Sequence, residues 1–157
     1  MIILTMEIIP NEIWSTIFSI LNDVKEIIKL TTVSKLFMKT IKNHYWYFCV
    51  NVKNDIVLEY VLDNYKFKNL KINMKCNVNR FIEKLINCHT LDLSYTKVTD
   101  ASVEKLINCH TLNLRETNIT DASVEKLINC HSLDLRYTKV TDASVKKLRN
   151  NGVVINK

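Results

Sequence analysis

Glycine and proline are almost missing from this chain: Gly152 and Pro10 are the single examples in 157 residues. A loop that cradles phosphate needs glycines so that backbone amides can approach the ligand, and none is expected here. Turns must be made by other residues, among which Asn is abundant. Long apolar runs are missing too. None approaches the roughly 18 residues of a membrane-spanning helix, so no membrane association is expected. The apolar opening Met1–Leu4 is short, precedes Glu7, and lacks a basic leading region and a small-residue cleavage site, so it does not read as a signal peptide; Met6 is an alternative start. An even set of cysteines is also lacking. The five present, three of them at one repeat phase, point to reduced thiols in the cytoplasm or nucleus rather than to a disulfide scaffold.

What the chain does have is a sentence said three times. Residues 85–105, 106–126 and 127–147 are near-copies with a period of 21 residues and no insertion. A fixed period in this range marks a solenoid whose units stack on their neighbours and present a surface. Each copy alternates apolar and polar residues around Leu91 and Leu93, Leu112 and Leu114, Leu133 and Leu135, as a strand with one buried face does. Thr96, Thr117 and Thr138 follow, placed to stack as a ladder whose hydroxyls bond backbone groups where the chain leaves the strand. Thr99-Asp100, Thr120-Asp121 and Thr141-Asp142 then offer a helix cap and a negative charge at the positive helix end. Val103, Leu106 and Ile107 have the spacing of one apolar stripe on a helix of two to three turns.

The pattern Cys-x-x-Leu-x-Leu-x-x-Thr, with Val or Ile two residues on, resembles the leucine-rich repeat, with Cys in its first apolar slot and Thr in its Asn/Cys slot. A degenerate copy at 64–84 precedes the clear ones: Phe67, Leu70, Ile72 and Ile82, followed by Leu85 and Ile86, lie 21 residues before Cys88, Leu91, Leu93, Val103, Leu106 and Ile107. Residues 55–64 look like its leading helix, and 152–156 read as a terminal strand. This predicts about four parallel strands plus a terminal one, in a right-handed coil with strands on the concave face and helices on the convex face.

The first 50 residues differ. Pro10 suits a first helical turn, and Ile13, Ile17, Phe18 and Leu21 recur at helical spacing. Asp23 can cap a second helix and Ser34 a third, and an aromatic cluster, His44 to Phe48, closes the segment. So small a core calls for covering by something else. Ile9-Pro10-x-Glu12-Ile13, then Ile17-Phe18 and Leu21, then Val33-Ser34-Lys35-x-Phe37, then Trp46, resemble the F-box; Ile9 stands where that motif usually has Leu. The resemblance covers about 40 residues and implies a three-helix module, 6–50, that docks a Skp-family linker subunit and through it a cullin-RING ubiquitin ligase. Ile9, Pro10, Ile13, Ile17, Leu21, Val33 and Phe37 would supply or support that interface. F-box proteins with leucine-rich repeats in this order are familiar in eukaryotes and occur in large DNA viruses of eukaryotic hosts, where the host cytoplasm would be the setting. The competing reading is that these helices cap the solenoid and never meet a ligase.

The fold class expected is therefore α/β: a three-helix module packed on a repeat array at 55–157. Copies differ from one another mainly at exposed positions. These are the expected target-binding residues, on the concave face: Asp92, Ser94 and Tyr95; Asn113, Arg115 and Glu116; Asp134, Arg136 and Tyr137. Residues 1–66 carry 7 basic and 7 acidic side chains, whereas 67–157 carry 15 and 9, so an acidic protein target suits the repeats. Aromatics are not interleaved with basic residues as a nucleic-acid platform requires. Cys88-His89, Cys109-His110 and Cys130-His131 invite a metal reading, but stacking sets the sulfurs in a line whereas zinc needs converging ligands. Adjacent Cys and His also point to opposite faces of a strand. No metal, cofactor or catalytic residue is expected.

Overall fold

The computed structural model describes residues 42, 43 and 45–157. The expected helices of the first 41 residues, and with them Ile9, Pro10, Ile13, Ile17, Leu21, Val33 and Phe37, lie outside the described residues. What is described is one six-stranded parallel sheet in strict chain order, strands alternating with helices. The strands are β1 (Tyr45–Val52), β2 (Lys66–Ile72), β3 (Thr90–Asp92), β4 (Thr111–Asn113), β5 (Ser132–Asp134) and β6 (Val154–Asn156). The helices are α1 (Asp55–Asn64), α2 (Val78–Leu85), α3 (Asp100–Val103), α4 (Asp121–Val124) and α5 (Asp142–Asn150). None of these helices is long and apolar enough to cross a membrane.

The repeat register holds residue for residue. Asn69, Thr90, Thr111 and Ser132 pair along one row, Leu70, Leu91, Leu112 and Leu133 along the next, and Lys71, Asp92, Asn113 and Asp134 along the third. In the central copy Leu106, Cys109, Leu112, Leu114, Ile119 and Val124 are all fully buried. Each buried leucine contributes about 1.5–3 kcal/mol relative to exposure, which is how four-residue helices and three-residue strands hold together in a stack.

Two expectations are corrected. The sheet gains a strand at its start, because the aromatic run 45–48 is the beginning of β1 and not the end of a helix. Trp46, Val50 and Val52 are buried while Tyr45, Tyr47, Cys49 and Asn51 are exposed, the alternation of a half-buried strand. Trp46 packs on Phe67 with ring centres 6.2 Å apart, and one extra residue in β1 shifts the register between Trp46 and Cys49. The residues 45–50, expected to close the helical module, thus belong to the sheet.

The second correction concerns the helices. α3 and α4 are single turns, and Ile107 and its counterpart Ile128 are exposed, at 38% and 45%. After Val103 the chain tightens to i→i+3 bonding: the Leu106 amide donates to the Val103 carbonyl and the Cys109 amide to the Leu106 carbonyl. With three residues per turn, positions three apart share a face and position i+4 rotates away. Val103, Leu106 and Cys109 therefore line the core, and Ile107 does not.

Candidate recognition surface

Each strand ends in the same turn. Thr96, Thr117 and Thr138 donate their hydroxyls to the carbonyls of Leu93, Leu114 and Leu135, at 2.7, 2.6 and 2.6 Å. The ladder expected from the sequence is thus present, and its role is to close the turn. One residue earlier, Tyr95, Glu116 and Tyr137 hold φ of 62°, 57° and 57°. That left-handed region costs a non-glycine residue about 1–2 kcal/mol. The three positions lie in register, one per copy, so the same backbone strain recurs along this edge of the sheet.

Of the nine residues expected to bind a target, three prove to have structural work. Asp92, Asn113 and Asp134 each turn Oδ1 back to accept from the backbone amide two residues on, at 3.0, 3.0 and 3.2 Å. An Asp or Asn serves equally, so variation here is free of structural cost but not of electrostatic consequence. Asp92 pairs with Lys71 at 3.4 Å. Asp134 clamps Arg136 in a bidentate pair, accepting from Nε at 3.0 Å and Nη2 at 2.6 Å. Burial pushes the Asp134 carboxyl up, and the Arg136 bonds and charge outweigh it and hold the group below the usual range.

Asn113 carries no charge, and its neighbour Arg115 has no ion-pair partner among the described residues. The Arg115 guanidinium instead lies over the rings of Tyr95 and Tyr137, 5.6 and 5.3 Å from their centres. Its Nε is buried without a hydrogen-bond partner. Tyr95 and Tyr137 remain 48% and 70% exposed. The structure therefore brings Tyr95, Arg115 and Tyr137 from three successive copies into one cluster, with Arg136 and Glu116 beside it. Ser94 instead borders a groove of about 450 Å³ on the other side of Tyr95, shared with Lys53, Lys71, Asn73 and Met74.

At the opposite edge, His89, His110 and His131 form an exposed stack with ring centres 4.6 Å apart. Beneath them Cys88, Cys109 and Cys130 are buried, as the alternation requires. Burial pushes these thiols up, to about 11, 12 and 11. A thiol in that range is not a nucleophile at neutral pH. Among the described residues no group of three or more His, Cys, Asp or Glu is placed to hold a metal ion.

One device escaped the sequence reading. Asp100 accepts from the Thr120 amide at 2.9 Å, the Thr120 hydroxyl at 2.7 Å and the Ser123 hydroxyl at 2.6 Å, all one repeat away. Asp121 does the same for the amide and hydroxyl of Thr141, and Asn79 accepts from the Thr99 amide. Each helix start thus holds the next. The signal was available: Asp follows Thr at this position in all three copies, with Asn79 one period before.

No known family's sequence profile matches the chain, and no curated protein does. Among solved structures it is similar to an internalin from Listeria monocytogenes strain 4b F2365, with 16% identity and a TM-score of 0.49 over 86% of this chain and 44% of that one. The chain thus spans less than half the length of that protein.

Proposed function

We propose that the chain is a substrate-recognition adaptor of an SCF-type cullin-RING ubiquitin ligase, acting in the cytoplasm or nucleus. Its F-box-like segment, within residues 6–50, docks a Skp-family linker through Ile9, Pro10, Ile13, Ile17, Leu21, Val33 and Phe37. The concave strand face of the repeats, at the C-terminal ends of the strands (the C-terminal edge), captures a protein target. The chain contributes no catalytic group, metal or cofactor; it works by holding a target near a charged enzyme. The observation that carries the ligase half is the ordered motif Ile9-Pro10-x-Glu12-Ile13 and Val33-Ser34-Lys35-x-Phe37 directly upstream of a repeat sheet. The capture half is supported by the exposed Tyr95, Arg115 and Tyr137 cluster, made of the residue types that anchor protein interfaces.

The second reading is a plain interaction module whose helical start is a cap. It is favoured by Trp46, the last residue of the motif, being buried in the repeat sheet itself. Co-purification with a Skp-family protein separates the two. The ligase reading expects a complex that Ile17→Asp abolishes while the repeats stay folded. Absence of a complex with the unaltered chain overturns it in favour of the cap.

A further inference from the structure

The net charge of the chain is +6, and its distribution is uneven in three dimensions. The segments that leave the strands, 51–54, 71–77, 92–99, 113–120, 134–141 and 156–157, contain eight basic and three acidic side chains. Two of those acids, Asp92 and Asp134, are already neutralised by Lys71 and Arg136. The helical segments, 55–64, 78–85, 100–108, 121–129 and 142–150, contain seven basic and nine acidic. Nearly all the excess positive charge therefore faces one edge of the sheet.

Within that edge the three clear copies are not equivalent. Where the third has Asp134 clamping Arg136, the second has Asn113, which keeps the turn-closing bond and leaves Arg115 without a carboxylate. Arg115 is nonetheless held in place, between Tyr95 and Tyr137. A positioned guanidinium that makes no direct ion pair, although its charge is felt by Asp134, and that is flanked by exposed aromatic rings suits a carboxylate on an incoming chain. The groove on the far side of Tyr95 adds Lys53 beside Met74, with Lys71 there already paired to Asp92. From the end of β2 to the end of β5 is three strand spacings, about 14 Å, the length of roughly four extended residues.

We propose that this edge binds an extended acidic peptide segment of the target, with Arg115 taking a carboxylate between Tyr95 and Tyr137. The inference rests on the edge being the capture surface. Nucleic acid fits less well, because Arg115 already covers a face of each ring on which a base would stack.

The test uses the full chain and a fluorescein-labelled decapeptide of alternating Glu and Ser, read by anisotropy. The peptide is expected to bind, more weakly as salt rises. Because Asn113 lies between Asp92 and Asp134 in the strand register, Asn113→Asp should lower the thermal midpoint slightly by like-charge repulsion; by quenching Arg115 as Asp134 quenches Arg136 it should weaken binding about tenfold. Arg115→Gln should weaken binding as much. No binding, an unchanged affinity in both variants, or tighter binding of a uridine oligomer of equal length overturns the proposal, the last in favour of a nucleic-acid surface. Linker co-purification is scored separately. A chain that joins the linker but ignores the peptide loses only this inference; one that binds the peptide but joins no linker loses only the ligase reading.

Discussion

The helical side and the C-terminal edge of the sheet are built from the same repeats and obey different rules. On the helical side charge is spent internally. Arg80 pairs with Glu59, Lys84 with Asp63, Lys105 with Glu83, Lys126 with Glu104 and Lys147 with Glu125, each pair tying one repeat to the next. Asp100 and Asp121 add hydrogen bonds in the same direction. The residues that do this are nearly unchanged between copies. On the C-terminal edge the copies diverge, charge is left over, and bulky residues sit at positive φ where glycine would be easier. Stacking constrains the first region, while the second carries the variation between copies.

Breaking the helical side should cost stability. Asp100→Ala removes three hydrogen bonds and leaves the Thr120 amide unpaired, while the buried Ser123 hydroxyl keeps only its 3.3 Å bond to the Thr120 carbonyl, so denaturant unfolding should show a loss of about 1–3 kcal/mol. Acid should act on the same group. Burial would raise the Asp100 pKa, but the bonds from Ser123 and Thr120 bring it below the ordinary value, and Asp121 is lowered chiefly by the Thr141 amide. A depressed carboxyl adds stability that is complete above the unfolded-state pKa of about 4 and is lost as pH falls through the folded-state value. Thermal midpoints should therefore drop below pH 4, and less steeply in Asp100→Ala.

Changes at the C-terminal edge should have a smaller effect on stability and the opposite sign. Glu116→Gly relieves a positive φ, and the midpoint of denaturant unfolding should rise by the equivalent of about 0.5–1 kcal/mol. A loss would show that the strained turn is held by the Glu116 side chain and not despite it. The smallest effect belongs to single exposed ion pairs. Lys126→Met should change stability by under about 0.5 kcal/mol, which places the strength of the helical side in Asp100 and Asp121 and in buried leucines rather than in its visible salt bridges.

The sequence disclosed the period, the row register, the Thr ladder and the inward Cys with outward His, because a 21-residue repeat imposes one geometry on every copy. It hid what that geometry makes non-local. Asp100 meets Thr120 only after one full turn of the coil, so its carboxylate read as a local helix cap. Ile107 fitted a 3.6-residue period, yet the short repeat forces tighter turns. Trp46 fitted the spacing of a motif, and its buried role in β1 was masked by that fit. The expected binding residues lie where the copies differ, but only the folded chain shows that Asp134 pairs with Arg136, that Arg115 makes no direct ion pair, and that it lies over Tyr95 and Tyr137. The seven residues expected to meet the linker rest on the motif alone.

The difference between the two regions can be put to one measurement. Arg115→Gln and Lys126→Gln each remove one positive charge, the first from the C-terminal edge and the second from the helical side, and both can be titrated with the same acidic decapeptide at one salt concentration. Recognition at the edge predicts about a tenfold loss for Arg115→Gln and less than twofold for Lys126→Gln. Equal losses would mean that the peptide senses only net charge, and the assignment of a recognition surface to this edge would fall.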